Sequence, residues 1–226
     1  MLRVLDVLFS GLALVVLSPL FLLVMMILRL TGEGEVFYRQ DRVGRSGRIF
    51  GLLKFTTMLK DSPNIGTGTI TVRDDPRVLP IGRILRKTKI NELPQLLNVL
   101  AGDMSVIGPR PLTENHFRYY PPELRELISS VRPGLSGVGS IVFRDEERLL
   151  SNEEDPTKYY EAEIAPYKGE LEAWFVANQG VVLYLKCILV TLWVVGNSSS
   201  RIASSIFNGL PVPQGQLKVD LDAKNH

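Results

Sequence analysis

The groups able to do chemistry in this 226-residue chain are basic side chains set among glycines and prolines, with few acids beside them. Lys54, Arg86, Lys87, Arg110, Arg132 and Arg144 form this set. A guanidinium fork binds two phosphate oxygens at once, and the prolines of GPRPL would hold the fork of Arg110 rigidly. Glu92 stands at a helix start, where it could hold Mg²⁺ through oxygen, because that ion takes one or two carboxylates plus substrate phosphates. It would serve equally as a plain first-turn acid favoured by the helix dipole. Taken singly, each arginine reads as structural or solvated. Together with the membrane features described below, they suggest phosphate-ester chemistry at a membrane. Other chemistries lack their parts. His116 and His226 have no metal-ligand spacing, Cys187 is alone, and no GxSxG, phosphate-loop or dinucleotide glycine fingerprint occurs. His116 reads as a surface or packing residue.

The elements that must position these groups follow from periodicity. Val36 to Tyr38 and Ile49 to Phe55 read as strands, with turns at Gly44 and Gly47. DSPNIGTGTITVRDDPRVLPIG reads as a loop. Helices are expected to start near Pro80 and near Asn91. In the second, Asn91 would be the N-cap, Leu93, Leu96, Leu97 and Leu100 would share one face, and Gly102 would end it. PPELRELISS is a short amphipathic helix, and VRPGLSGVGSI a glycine-punctuated loop. Tyr159–Asn178 and Val181–Val195 read as helical. The latter is interrupted by Lys186 and suits an interfacial or a core helix, and its apolar face could pair two chains as a homodimer or rest on a bilayer. Beyond Asn197, the Ser, Gly, Pro and Gln content points to a loosely ordered tail.

One segment explains the high apolar content, 45% with a mean hydropathy of +0.11. Val7 to Leu28 is 22 residues without a charge, flanked by Asp6 and Arg29, long enough to cross a hydrocarbon core as a helix. It lacks the cleavage site of a signal peptide. Ser18-Pro19 sits near its middle, where proline removes a backbone hydrogen bond and bends the helix. A kinked spanning helix and a hairpin that enters one leaflet and returns both fit. The net charge of +2 conceals local excess: six Lys/Arg against one Asp between Arg39 and Lys60, and six against two between Arg73 and Lys89. Basic segments following a membrane segment suit anionic headgroups on the cytoplasmic side, or form a solvated basic face. No nucleic-acid-binding motif is present. The single cysteine excludes an internal disulfide framework and fits a reducing compartment.

RKTKINELPQLLNVLAGDMSVIGPRPL closely resembles the core of bacterial sugar transferases, the monotopic polyprenyl-phosphate phosphoglycosyl transferases. The resemblance covers roughly Met1 to Arg144. It includes the apolar helix with Ser18-Pro19, FYRQDRVGRSGRIFGLLKF, DDPRVLPIGRILRKT and VRPGLSGVGSI, with weaker likeness in APYKGELEAWF. It implies an α/β-type fold, mostly helical with short strands. A re-entrant membrane helix, residues 1–30 broken at Ser18 and Pro19, would precede a small cytoplasmic catalytic domain at 31–196 and the tail at 197–226. It implies the bacterial inner membrane, with the catalytic domain facing the cytoplasm. The implied reaction transfers a sugar 1-phosphate from a nucleotide sugar, read as a UDP-sugar, to the polyprenyl phosphate undecaprenyl phosphate, with Mg²⁺, among membrane lipids and without nucleic acid.

The family's Asp-Glu dyad implies a role for each position here. Its Asp attacks the sugar-linked phosphorus, and its Glu is the expected magnesium ligand. Glu92 falls on the Glu, and Lys54 on the lysine of a K-F-R-S-M motif whose next polar positions are here Thr56 and Thr57. Arg86 and Arg110 fall on motif arginines that would meet phosphates. Arg132 and Arg144 align more loosely, because SIVFRDEE departs from Q-V-N-G-R-N. The chief departure is Asn91 at the nucleophile's place, since a carboxamide attacks phosphorus poorly. Four readings stand open: a substitution of the acid, an active natural variant, a binding-only pseudoenzyme, or deamidation to the acid. An active variant would use Glu92, Asp103 or Asp145 as nucleophile, or attack directly with the lipid phosphate.

Overall fold

A computed structural model describes residues 1–31, 33–64, 75–144, 146–151, 153–196, 206–215, 217–218 and 221. Helix α1 (Leu2–Leu30) leads into the hairpin strands β1 (Phe37–Val43) and β2 (Ile49–Phe55). Helices α2 (Pro80–Lys87) and α3 (Gln95–Ala101), strand β3 (Ser105–Ile107), and helices α4 (Glu114–Phe117) and α5 (Pro122–Ser129) follow. Strand β4 (Gly134–Ser136) precedes α6 (Val138–Val142), α7 (Glu146–Ser151), α8 (Pro156–Tyr159), α9 (Ala165–Asn178) and α10 (Val181–Gly196). The described chain is therefore mostly helical with short strands, as expected. Helix α1 is the one described helix long and apolar enough to cross a membrane.

Helix α1 rests on the rest of the molecule at both ends. Near its start, Arg3 donates from Nη1 to the Val99 carbonyl (2.5 Å) and from Nη2 to the Leu100 carbonyl (2.9 Å), satisfying the end of α3. One turn on, Asp6 is 2% exposed. Its Oδ1 accepts from Ser105 Oγ (2.7 Å), the Val106 N–H (2.9 Å) and the Tyr184 hydroxyl (2.8 Å). Near its end, Val24 and Leu28 are buried with Phe55 and Leu85. Between these footholds Leu12, Val15, Val16 and Leu22 are exposed. Helical structure continues through Pro19, and Ser18 Oγ bonds back to the Val15 carbonyl (2.8 Å).

The hairpin β1–β2 is antiparallel, with Tyr38 opposite Lys54 and Arg42 opposite Phe50. This register puts Tyr38, Gln40, Arg42 and Lys54 on one face. Asn98 of α3 fastens the hairpin: its Oδ1 accepts from Leu53 N–H (3.0 Å) and its Nδ2 donates to the Gly51 carbonyl (2.9 Å). Strands β3 and β4 pair in parallel, so the VRPGLSG segment expected as a loop holds a strand and then opens α6. Its glycines are there because backbones touch. A Cβ on Gly134 would collide with the Gly108 and Ser136 backbones, and one on Gly137 with the Gly108 carbonyl.

Two other local expectations change. Asn91 does not cap an α-helix but lies within a 3-10 turn, Ile90–Glu92, and α3 begins after Pro94. The buried face of α3 is Gln95, Leu96, Asn98 and Val99, while Leu97 and Leu100 are exposed. The amides of Gln95 and Asn98 turn inward because hydrogen bonds await them. Gly102 ends the helix at φ 95°, as expected.

The main core gathers around Val138, Ile164, Leu171, Tyr184 and Cys187. The helical run expected from Tyr159 to Asn178 contains a π-helical stretch, Tyr160–Ile164, between α8 and α9. Helix α10 buries Tyr184, Cys187, Val190 and Val194 yet exposes Val182, Leu189, Leu192 and Trp193, so it is apolar on both sides. Within the tail expected to be loose, Phe207 and Leu217 are buried against this core, and Tyr167 donates to the Pro211 carbonyl (3.0 Å).

Candidate functional site

A cavity of about 810 Å³ opens between the hairpin, the α2–α3 turn, the loop after β3 and the helices from α6 to α10. Among the described residues, eight basic side chains line it against three acids, Glu35, Glu92 and Glu146. This excess of positive charge suits an anionic ligand. Lys54, Arg86, Asn91, Glu92, Arg110 and Arg144 all border it. Arg132 does not: its Nε donates to the Gly102 carbonyl at the end of α3 (2.8 Å), a structural clasp between β4 and α3. Asp145, considered as an alternative acid, lies outside the described residues.

The 3-10 turn delivers Asn91 and Glu92 to the cavity. Thr88 ends α2, and Lys89 takes a left-handed conformation (φ 60°, ψ 10°) that a non-glycine residue adopts at a cost of about 1–2 kcal/mol. Lys89 caps the turn that holds Ile90, Asn91 and Glu92. Glu92 Oε1 accepts from Arg110 Nη2 at 3.1 Å. Burial works against its charge, yet the Arg110, Lys54 and Lys89 charges prevail and hold the carboxyl down at about 2.

Arg110 is fixed at both ends. Its backbone N–H donates to Glu172 Oε1 (3.2 Å), its Nη1 reaches Ser140 Oγ (3.5 Å), and its Nη2 reaches Glu92. Glu172 itself is buried, and desolvation raises its carboxyl to about 7 against the opposing pull of the Arg110 N–H, Lys168 and the Arg110 charge. Lys54 lies on the cavity side of β2. Desolvation first, then the Arg42 charge, lowers its ammonium to about 7. Arg42, from the facing strand, donates to the Pro111 carbonyl (3.1 Å) and to Gln40 Oε1 (2.5 Å), which steadies the GPRP loop from the other side.

The far end of the cavity is aromatic as well as charged. His116 packs on Tyr160 at 5.1 Å and on Tyr119 at 5.7 Å, and burial lowers its pKa, so the ring favours the neutral form. Lys168 of α9 donates to Glu146 Oε2 (2.5 Å) and lies 5.1 Å from the Phe143 ring and 5.4 Å from that of Tyr160.

The sequence reading missed Arg42, Glu146, Lys168 and Glu172, and gave His116 only a packing role. One signal was available: Lys168 and Glu172 share a helix face in KGELEAWF, four residues apart, on an otherwise largely apolar stretch. Buried polar atoms without a hydrogen-bond partner among the described residues also gather here. Arg42 Nε, Thr56 Oγ1 and Asn91 Oδ1 are all on lining residues. Such atoms are costly to leave unmet, so the cavity is built for a polar ligand.

No three or more His, Cys, Asp or Glu side chains cluster as a metal cage among the described residues. Chemically, the arrangement can neutralise several phosphate charges around one carboxylate.

A family model described as bacterial sugar transferase matches residues 1–198. The exopolysaccharide production protein ExoY of Sinorhizobium fredii is 39% identical over 158 residues, 64% of this chain and 70% of that protein. ExoY of Rhizobium meliloti is 36% identical over 171 residues, 70% of this chain and 75% of that protein. The UDP-glucose:undecaprenyl-phosphate glucose-1-phosphate transferase of Caulobacter vibrioides is 42% identical over 143 residues, 62% of this chain and 52% of that protein.

Proposed function

The chain belongs to the bacterial sugar transferase family, and from that membership we propose that it moves a sugar 1-phosphate from a UDP-sugar to undecaprenyl phosphate. Nucleoside monophosphate leaves, and a lipid-linked glycan begins. The named reaction of the Caulobacter relative supports this substrate pair. The observation that carries it is the convergence of Lys54, Arg86, Arg110 and Arg144 with Glu92 on one cavity. Arg110 would grip the diphosphate, Lys54 and Arg86 would neutralise its oxygens, and Glu92 would act beside the reacting phosphorus.

Mg²⁺ fits this donor set as an ion shared with substrate. Glu92 supplies one carboxylate oxygen site and the donor's phosphates would supply the rest, a ligation that magnesium favours over an all-protein cage. Bound there, the ion would offset charge on the transferring phosphoryl group.

The anchor is proposed to be re-entrant, with the body on the cytoplasmic face of the bacterial inner membrane. The footholds of α1 support this: Asp6 near one end and Leu28 near the other are both buried against the same body. A 29-residue helix is roughly 43 Å long if straight, longer than the hydrocarbon core of roughly 30 Å. A helix crossing that core would carry Asp6 away from its partners Ser105 and Tyr184. Residues 1–30 then form the anchor and 31–196 the transferase body, with the later residues a tail docked through Phe207 and Leu217.

The test is a panel of UDP-sugars with undecaprenyl phosphate, following UMP. Mg²⁺-dependent release is expected, and Glu92→Gln is expected to reduce it by about 100-fold or more. A second reading, binding without turnover, is favoured by one observation, the amide at position 91. It predicts calorimetric binding of UDP-sugar with no UMP from any donor.

A further inference from the structure

We infer that this chain carries out the transfer as a single displacement, in which the acceptor phosphate attacks the donor directly and Asn91 orients substrate without bonding to phosphorus. The inference rests on the proposed transferase reading and adds its chemical course.

Three observations carry it. First, Asn91 lines the cavity beside Glu92 and is 6% exposed, with its Oδ1 buried and without a hydrogen-bond partner among the described residues. A buried carboxamide is an oriented hydrogen-bonding group, and its oxygen is no useful nucleophile. Second, each described acid on the cavity wall is engaged with a base. Glu92 meets Arg110 at 3.1 Å, Glu146 meets Lys168 at 2.5 Å, and Glu35 meets Lys60 at 2.8 Å. Third, among the described residues the wall carries eight Lys and Arg side chains against these three acids. A nucleoside diphosphate sugar brings about two negative charges, and a phosphate monoester about 1.5 to 2 more at pH 7. The basic excess is large enough for both at once. An acid at position 91 would repel the second phosphate, whereas an amide lets it approach.

The step balances. An oxygen of the lipid phosphate forms a bond to the sugar-bearing phosphorus, and the bond from that phosphorus to the bridging oxygen breaks. The bridging oxygen leaves with its electron pair on UMP. The products are a lipid diphosphate sugar and UMP, with no redox change and no covalent enzyme species. Lys54 and Arg110 stand at the phosphates throughout, and Asn91 Oδ1 accepts from a donor hydroxyl.

The experiment uses the full-length protein in detergent with the UDP-sugar identified by the panel. Initial rates at varied donor and acceptor are measured, and intact mass is recorded after incubation with donor alone. Intersecting double-reciprocal lines are expected, with no mass increase and no burst of UMP until undecaprenyl phosphate is added. Asn91→Ala is expected to lower turnover about tenfold, the scale of one lost hydrogen bond, and Asn91→Asp to give no gain. A phosphosugar adduct on the unmodified protein, a stoichiometric burst of UMP from donor alone, or a gain of tenfold or more in Asn91→Asp would overturn the single displacement while leaving the transferase reading intact. Absence of UMP from every donor with acceptor present would overturn both.

Discussion

Lys54 shows how position sets the chemistry of a side chain. Burial and the neighbouring Arg42 charge bring its ammonium down to about 7, against an ordinary value of 10.5. In the free protein its positive charge is therefore lost as pH rises through 7, and with it part of the pull on phosphate. The KM for the donor is expected to rise between pH 7 and 9, and Lys54→Arg, which stays charged, should flatten that rise. KM measured across that range checks the point. The Glu92 carboxyl, held at about 2, stays ionised over the same range and contributes no limb to the profile. The lining residues found by reading the sequence were Lys54, Arg86, Asn91, Glu92, Arg110 and Arg144, all but Lys54 and Arg144 inside one long motif. Arg42 and Glu146 escaped because nothing in their local spacing announces a partner, and the one signal there was, the four-residue spacing of Lys168 and Glu172, went unused. They meet the motif only after the chain has folded, 68 residues apart in the case of Arg42 and Arg110. Arg132 was overread for the converse reason, because a guanidinium that clasps a helix end looks, in sequence, like one that waits for phosphate.

At the level of elements, the site depends on two backbone segments pressed together, one carrying Gly108 and the other Gly134 of β4 and Gly137. Gly134 donates from its N–H to the Pro109 carbonyl at 2.7 Å, and Gly108 to the Ser136 carbonyl at 2.9 Å. Since a methyl at Gly134 meets backbone on two sides, Gly134→Ala is expected to cost about 2–4 kcal/mol, within the range for severe local changes. Because it tilts the GPRP loop, donor binding should suffer along with Tm. Thermal unfolding and donor affinity measured on the same variant check both. The strands β1 and β2 and the helices α2, α5, α9 and α10 were legible from period and punctuation. Strand β4 was not, because the three residues Gly134–Ser136 are too few to show alternation, and only its partner β3 defines it. The 3-10 turn at Asn91 was hidden for a related reason: its shape is set by the left-handed Lys89, a position where sequence preferences point elsewhere.

For the molecule as a whole, the decisive relation is between anchor and body. If α1 enters and leaves by the same face, residues on either side of it share one compartment. Single cysteines placed at Met1 and at Glu35, in a Cys187→Ala background, are then expected to react alike with a membrane-impermeant maleimide: protected in intact cells and labelled after the inner membrane is opened. Labelling of position 1 alone in intact, outer-permeabilised cells would require a crossing helix. The exposed apolar residues of α10, Val182, Leu189, Leu192 and Trp193, lie on a helix whose Tyr184 ring is 6.5 Å from that of Phe9 in α1.

The buried carboxylate of Asp6 has a practical corollary. Cutting away the first thirty residues to obtain a water-soluble protein would strip Ser105 and Tyr184 of their acceptor, bare the α3 carbonyls held by Arg3, and unroof Phe55 where Val24 and Leu28 now cover it. What remained would be a damaged body, not a catalytic fragment freed of its tether, so the protein is best purified whole.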